Sequence, residues 1–183
     1  MKALVLLGIV AALALFGVAL YNGLVRSRVR VDEAWSGIAT QLKRRHDLIP
    51  NLVETVKGYA AHERGVLEKV TELRSRAMAA TTPAQSAQAE GLLTQALRGL
   101  YAVAEGYPDL KANQNFLALQ ETLADTEGAI AGARQGYNAA VRDLNTRIES
   151  VPSNVVAGAF GFTRREFFEL EDASERAVPQ VRF

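Results

Sequence analysis

Residues Ala3 to Leu20 form an unbroken run of eighteen positions with no charge and no strongly polar side chain. At about 1.5 Å per residue a helix of this length spans roughly 27 Å, and continuing through Tyr21, Asn22 and Val25 covers a hydrocarbon core of about 30 Å. The run holds six Leu, three Val, one Ile and one Phe, which together favour insertion by roughly 3 to 7 kcal/mol. The pattern predicts a transmembrane anchor over residues 1–25. A cleaved leader is the competing reading, because Gly17-Val18-Ala19 presents small residues behind Lys2. The length of the run opposes it, as do Arg26, Arg28 and Arg30 just beyond. Those arginines also outnumber the one upstream lysine, so the positive-inside rule places a single-pass protein in the cell membrane with its body in the cytoplasm.

Downstream, apolar residues recur at helical spacing: Val31, Trp35, Ile38 and Leu42, then Ile49, Leu52, Val53, Val56, Tyr59, Leu67 and Val70. This predicts a long helix continuing from the anchor, with a kink or break at residues 47–51, where Pro50 removes a backbone donor and Asp47 can cap a new segment. A second helix is expected to start at Thr82-Pro83, with Gln85 in capping-box position, and to end near Gly106-Tyr107-Pro108. The third has the clearest stripe, from Phe116 through Leu123, Ile130, Tyr137, Val141 and Leu144 to Ile148, closed by Val151-Pro152. The fold class is therefore all-α: an antiparallel bundle of three to four long helices with an N-terminal transmembrane helix. The bundle is assigned to residues 26–152. Five of the seven phenylalanines fall in residues 153–183 (Phe160, Phe162, Phe167, Phe168 and Phe183), which are expected to pack on the bundle as a short helix and a strap. A hook into the membrane interface is the alternative for this tail.

Composition narrows the chemistry. A net charge of +1 gives no global field to attract nucleic acid, and none is expected as a partner. Without cysteine there are no disulfides, thiolate metal sites or cysteine nucleophiles. His46 and His62, sixteen residues apart, are about 24 Å apart on a straight helix and cannot share a metal there. His62-Glu63 starts like a zinc-peptidase motif, but Val66 stands where the second histidine belongs. His46 beside the expected kink reads as a solvated residue. No catalytic, cofactor-binding or metal-binding residue is assigned.

One group of polar residues does lie on the apolar seams. Arg45 falls where the stripe of Leu42 and Ile49 continues, and Arg134, Tyr137, Asn138, Val141 and Asn145 share one side of the third helix. A charged group on a buried seam needs partners. The expectation is a polar layer in which Arg45, Asp47 or Glu54 meets Glu127, Arg134 or Asn138 and fixes helix register. Gly128, Gly132 and Gly136 recur every fourth residue, each costing about 0.8 to 1.0 kcal/mol relative to alanine, so a close helix approach or an exposed groove is expected there.

Tyr21 to Val25 (YNGLV), Val31 to Ile38 (VDEAWSGI) and Gln41 to Glu63 (QLKRRHDLIPNLVETVKGYAAHE) resemble the LemA family of bacterial membrane proteins. Asn113 to Leu119, Ala133-Arg134-Gln135, Tyr137-Asn138, Pro152-Ser153-Asn154, Gly161-Phe162 and Pro179 to Phe183 extend the resemblance over most of the chain. The glycine row is a departure, since larger residues are expected there. The resemblance implies an N-terminal transmembrane helix and an antiparallel helical bundle, and brings no catalytic residues. Through relatives in magnetosome membrane systems, or encoded near membrane proteases, it implies membrane organisation or partner recruitment. The expected function is a membrane-anchored scaffold that binds the bilayer, other membrane or cytoplasmic proteins, or further copies of itself. The alternatives are a membrane-remodelling oligomer and a ligand-binding or enzymatic protein built on Arg45, His46, Asp47 and Arg134.

Overall fold

The computed structural model describes residues 1–60 and 62–169. Within them are six helices and no strand: α1 Lys2–Lys57, α2 Arg64–Met78, α3 Pro83–Ala104, α4 Pro108–Lys111, α5 Gln114–Glu149 and α6 Ser153–Ala159. Phe183 and the rest of residues 170–183 lie outside the described part, so the strap expected there is described only as far as residue 169. The described residues divide into two compact units, Met1–Ile38 with Ala133–Glu166, and Ala39–Gly132 with residues 167–169.

In the first unit the C-terminal part of α5 runs antiparallel to α1. Ser27 Oγ donates to Asp143 Oδ2 at 3.0 Å, and farther along α1 the Trp35 ring lies 5.5 Å from that of Tyr137. Leu24, Val31 and Ile38 are buried, as are Val141 and Leu144, each a contribution of about 1.5 to 3 kcal/mol for a fully buried aliphatic side chain. The polar residues of this α5 seam meet backbone. Asn145 donates from Nδ2 to the carbonyl of Arg165 and accepts from the Arg165 amide, both at 2.9 Å, while the Tyr137 hydroxyl donates to the carbonyl of Glu166 at 2.8 Å. Residues 165–166 carry no helical or sheet pairing, so these side chains satisfy backbone groups that would otherwise depend on solvent. Burial pushes the Tyr137 phenol above its ordinary 10.0, with Arg165 pulling it down and Glu166 and Asp32 reinforcing the rise.

The second unit holds a core drawn from four segments. Ile49, Leu52 and Val56 of α1 meet Leu67, Val70 and Leu73 of α2, Leu93, Leu97 and Leu100 of α3, and Phe116 and Leu123 of α5. Helix α3 starts as its sequence predicts: Thr82 Oγ1 accepts from the Gln85 amide at 3.2 Å, and Gln85 Oε1 accepts from the Thr81 amide at 3.2 Å.

Pro50 does not end α1. The helix continues to Lys57 and α2 starts at Arg64, so the segment expected to run from Ile49 to Val70 is in fact the end of α1 plus a separate α2. Proline at position 50 deprives the carbonyl of His46 of its helical partner, the amide four residues on. Arg74 of α2 supplies the missing donor, its Nε reaching that carbonyl at 2.7 Å. A side chain thus replaces the lost backbone bond, and the helix carries on.

Candidate functional site

The polar feature of the second unit is a cluster gathered from three helices. Arg45 and His46 come from α1, Glu90 and Thr94 from α3, and Glu127 from α5. Arg45 lies on the buried stripe Leu42, Arg45, Ile49, Leu52, Val56, stepping by three and four, and is one of the largest fully buried side chains. Glu90 occupies the equivalent place on α3, in the buried series Ser86, Glu90, Leu93, Leu97, Leu100. Two opposite charges on two apolar stripes meet where the stripes meet.

The guanidinium spreads over several partners. Nη1 donates to Glu90 Oε2 at 2.8 Å, and Nη2 donates to Thr94 Oγ1 at 2.8 Å and pairs with Glu127 Oε1 at 2.7 Å. His46 Nε2 donates to the other Glu90 oxygen at 2.6 Å. Of the three guanidinium nitrogens, Nε alone has no hydrogen-bond partner among the described residues. A planar, permanently charged fork suits this task in a way that a lysine ammonium does not, because it reaches two carboxylates on different helices at once. Glu127 is the solvent side of the arrangement: its side chain is 43% exposed, against 3% for Glu90. It borders a cleft of about 590 Å³ between α3 and α5, with Thr94, Arg98, Tyr101 and Gln120. Burial raises the Tyr101 phenol above 10.0, with Arg45 opposing the rise and Glu127 adding to it.

Of the residues expected in a polar layer, the fold brings Arg45 and Glu127 together and not the others. Asp47 is two residues, about 200°, around the helix from Arg45 and faces solvent, where Lys43 Nζ donates to its carboxylate at 2.6 Å. That bond, ahead of the weaker opposing effect of desolvation, holds Asp47 below its ordinary 3.8. Glu54 is nine residues on, about 180° around, and takes Lys57 at 3.2 Å on the exposed surface. Arg134 and Asn138 are half-buried in the first unit. His46 is buried on Glu90, not solvated beside a kink. Glu90, Thr94 and Arg74 went unnoticed in the sequence, although Glu90 carried the signal that marked Arg45, a charge at a stripe position.

This geometry joins helices. Both oxygens of Glu90 are engaged by Arg45 and His46, and no group of three metal-ligating side chains occurs among the described residues. Removing one member of such a buried pair costs about 3 to 5 kcal/mol, whereas a well-packed apolar replacement of the whole can be neutral. Among the described residues the glycine row of α5 is open: a Cβ added at Gly128, Gly132 or Gly136 meets nothing of them within 4 Å.

Comparison with known proteins gives a consistent picture. Residues 34–183 match the LemA family. The magnetosome protein MamQ 2 of Paramagnetospirillum magneticum is 26% identical over 189 residues, covering 88% of this chain and 70% of that protein. The magnetosome protein MamQ of Magnetospirillum gryphiswaldense is 25% identical over the same shares. Protein LemA of Metamycoplasma hominis is 28% identical over 140 residues, covering 74% of this chain and 63% of its own length. None of these names denotes an enzyme.

Proposed function

Because the chain belongs to the LemA family, we propose that it is a membrane-anchored helical scaffold, crossing the cell membrane once through the start of α1 and presenting its body in the cytoplasm to partner proteins or to further copies of itself. The observation that carries this reading is the state of the leading run. The helix is long and apolar enough to cross a membrane, and none of its most apolar eighteen-residue window is buried within the chain. Leu4, Leu6, Leu7, Leu13 and Leu15 are all more than 60% exposed. Leaving so much leucine in water is costly at about 25 cal/mol per Å², which a bilayer removes. The body supports a binding role over a catalytic one, since its buried charges are used to pair helices.

The test is photo-crosslinking of the full chain in native membranes from exposed body positions such as Met78 and Leu117. The reading expects discrete adducts from the body and a chain that stays with the membrane after an alkaline carbonate wash. Release by carbonate would remove the anchor, and a body that yields no adduct would remove the scaffold.

A further inference from the structure

The segment that follows α5 is chemically unlike the rest of the body. From Val151 through Thr163 there is no charged residue. Within it Val151, Val155 and Phe160 are 81%, 70% and 65% exposed, more than any other described large apolar side chain outside the leading run of α1. The segment is nonetheless held in place. Ala157 is buried, and the Ser153 hydroxyl shares its one proton between the carbonyls of Arg147 and Ser150, at 2.6 and 2.9 Å. One side of α6 is thus fixed to its own unit, and the other shows uncovered apolar groups.

Its position along α1 gives the uncovered side a meaning. A Cβ at Gly23 would lie 3.5 Å from Arg147 Nη1, so the end of α5 stands level with Gly23. The Phe160 ring lies 4.8 Å from Tyr21 and the Phe162 ring 5.8 Å from it, and Tyr21 directly follows the apolar run. On the other side of this aromatic group, Arg28 sits 5.3 Å over the Phe162 ring, with Arg26 and Arg30 also exposed. An apolar edge, an aromatic cluster and a cationic row follow one another along α1, as acyl chains, interface and headgroups do across a bilayer surface.

We propose that residues 151–160 form a second membrane contact, in which Val151, Val155 and Phe160 sit at the headgroup–acyl boundary of the bilayer that α1 enters. This rests on the reading of α1 as the membrane span. Continuity with the apolar run and the thirteen uncharged residues favour lipid over a protein partner, whose contact rim would carry polar groups.

The chain has no cysteine, so single-cysteine variants of the full-length protein can carry an environment-sensitive fluorophore without further change. Val155→Cys probes the lip, Leu13→Cys the span, and Ala139→Cys an exposed site on α5. Each is placed in vesicles of phosphatidylcholine and phosphatidylglycerol and quenched with aqueous iodide or with lipid spin-labelled near the headgroup. The expected result is several-fold stronger lipid quenching at Val155 than at Ala139, with iodide quenching reduced to match. If Val155 is as open to iodide as Ala139 while Leu13 is shielded, the lip lies in water, and the inference falls with the anchor intact. Shielding of Val155 from both quenchers would mean that protein covers it, which also overturns the inference. Iodide access at Leu13 would instead bring down the span, and with it this contact.

Discussion

The substitution of a side chain for a backbone donor at Pro50 makes a quantitative prediction. In the native chain the carbonyl of His46 is served by Arg74 Nε at 2.7 Å, so Arg74→Ala leaves a largely buried acceptor unpaired and should cost about 1.5 to 3 kcal/mol. Pro50→Ala restores an amide to position 50, and that amide can take the carbonyl in ordinary helical fashion while relieving the clash of the proline ring with the preceding turn. In the Pro50→Ala background the same Arg74→Ala change should therefore cost only about 0.5 to 1 kcal/mol, the scale of a substitution without a special role. The double-mutant cycle predicts a coupling of about 1 to 2 kcal/mol between two residues that act on the same carbonyl. It is read from urea unfolding of the full chain in nonionic micelles, followed by far-ultraviolet circular dichroism. Equal costs of Arg74→Ala in the two backgrounds, within about 0.3 kcal/mol, would refute the reasoning.

Glu90→Ala strands Arg45 and His46 in the second unit and should destabilise it by about 3 to 5 kcal/mol; a loss below about 1 kcal/mol in the same unfolding assay would show that Glu127 and Thr94 suffice for Arg45. At Asp143 burial opposes ionisation, but hydrogen bonds from Arg147 and Ser27 prevail and hold its carboxyl below the ordinary 3.8. Its stabilising contribution is complete above that value and is lost as pH falls through the lower native pKa. The melting-temperature difference between the native chain and Asp143→Asn should accordingly shrink on acidification below 3.8, and a difference constant across that range would contradict the assignment. A reporter enzyme fused to the C-terminus should be active when it is of the cytoplasmic kind and silent when it is of the periplasmic kind; the reverse would invert the proposed orientation.

Much of this architecture is legible in the apolar pattern, because long helices repeat one message many times. The stripe from Phe116 to Ile148 is that of α5, Gln114–Glu149, and Thr82 caps α3 as its spacing from Gln85 requires. What escapes is whatever depends on a distant side chain. Pro50 reads as an interruption because local rules contain no donor for the His46 carbonyl, and the one that exists stands twenty-eight residues away. The charged cluster is half legible: Arg45 on an apolar stripe announces a buried guanidinium, but its partners follow from which stripes face each other, which a single helix does not state. Asp47 and Glu54 were near Arg45 in sequence and on the wrong sides of the helix.

The Arg45 cluster also orders events during synthesis. Arg45 leaves the ribosome forty-five residues before Glu90, and its third helix arrives later still with Glu127. Until Glu90 arrives, a permanent positive charge sits on the surface that must be dehydrated, so pairing of α1 with α2 alone would bury a cation without its carboxylate. Burial of this stripe is thereby favoured only once α3 has emerged, and Glu127 of α5 then adds the solvent-facing partner.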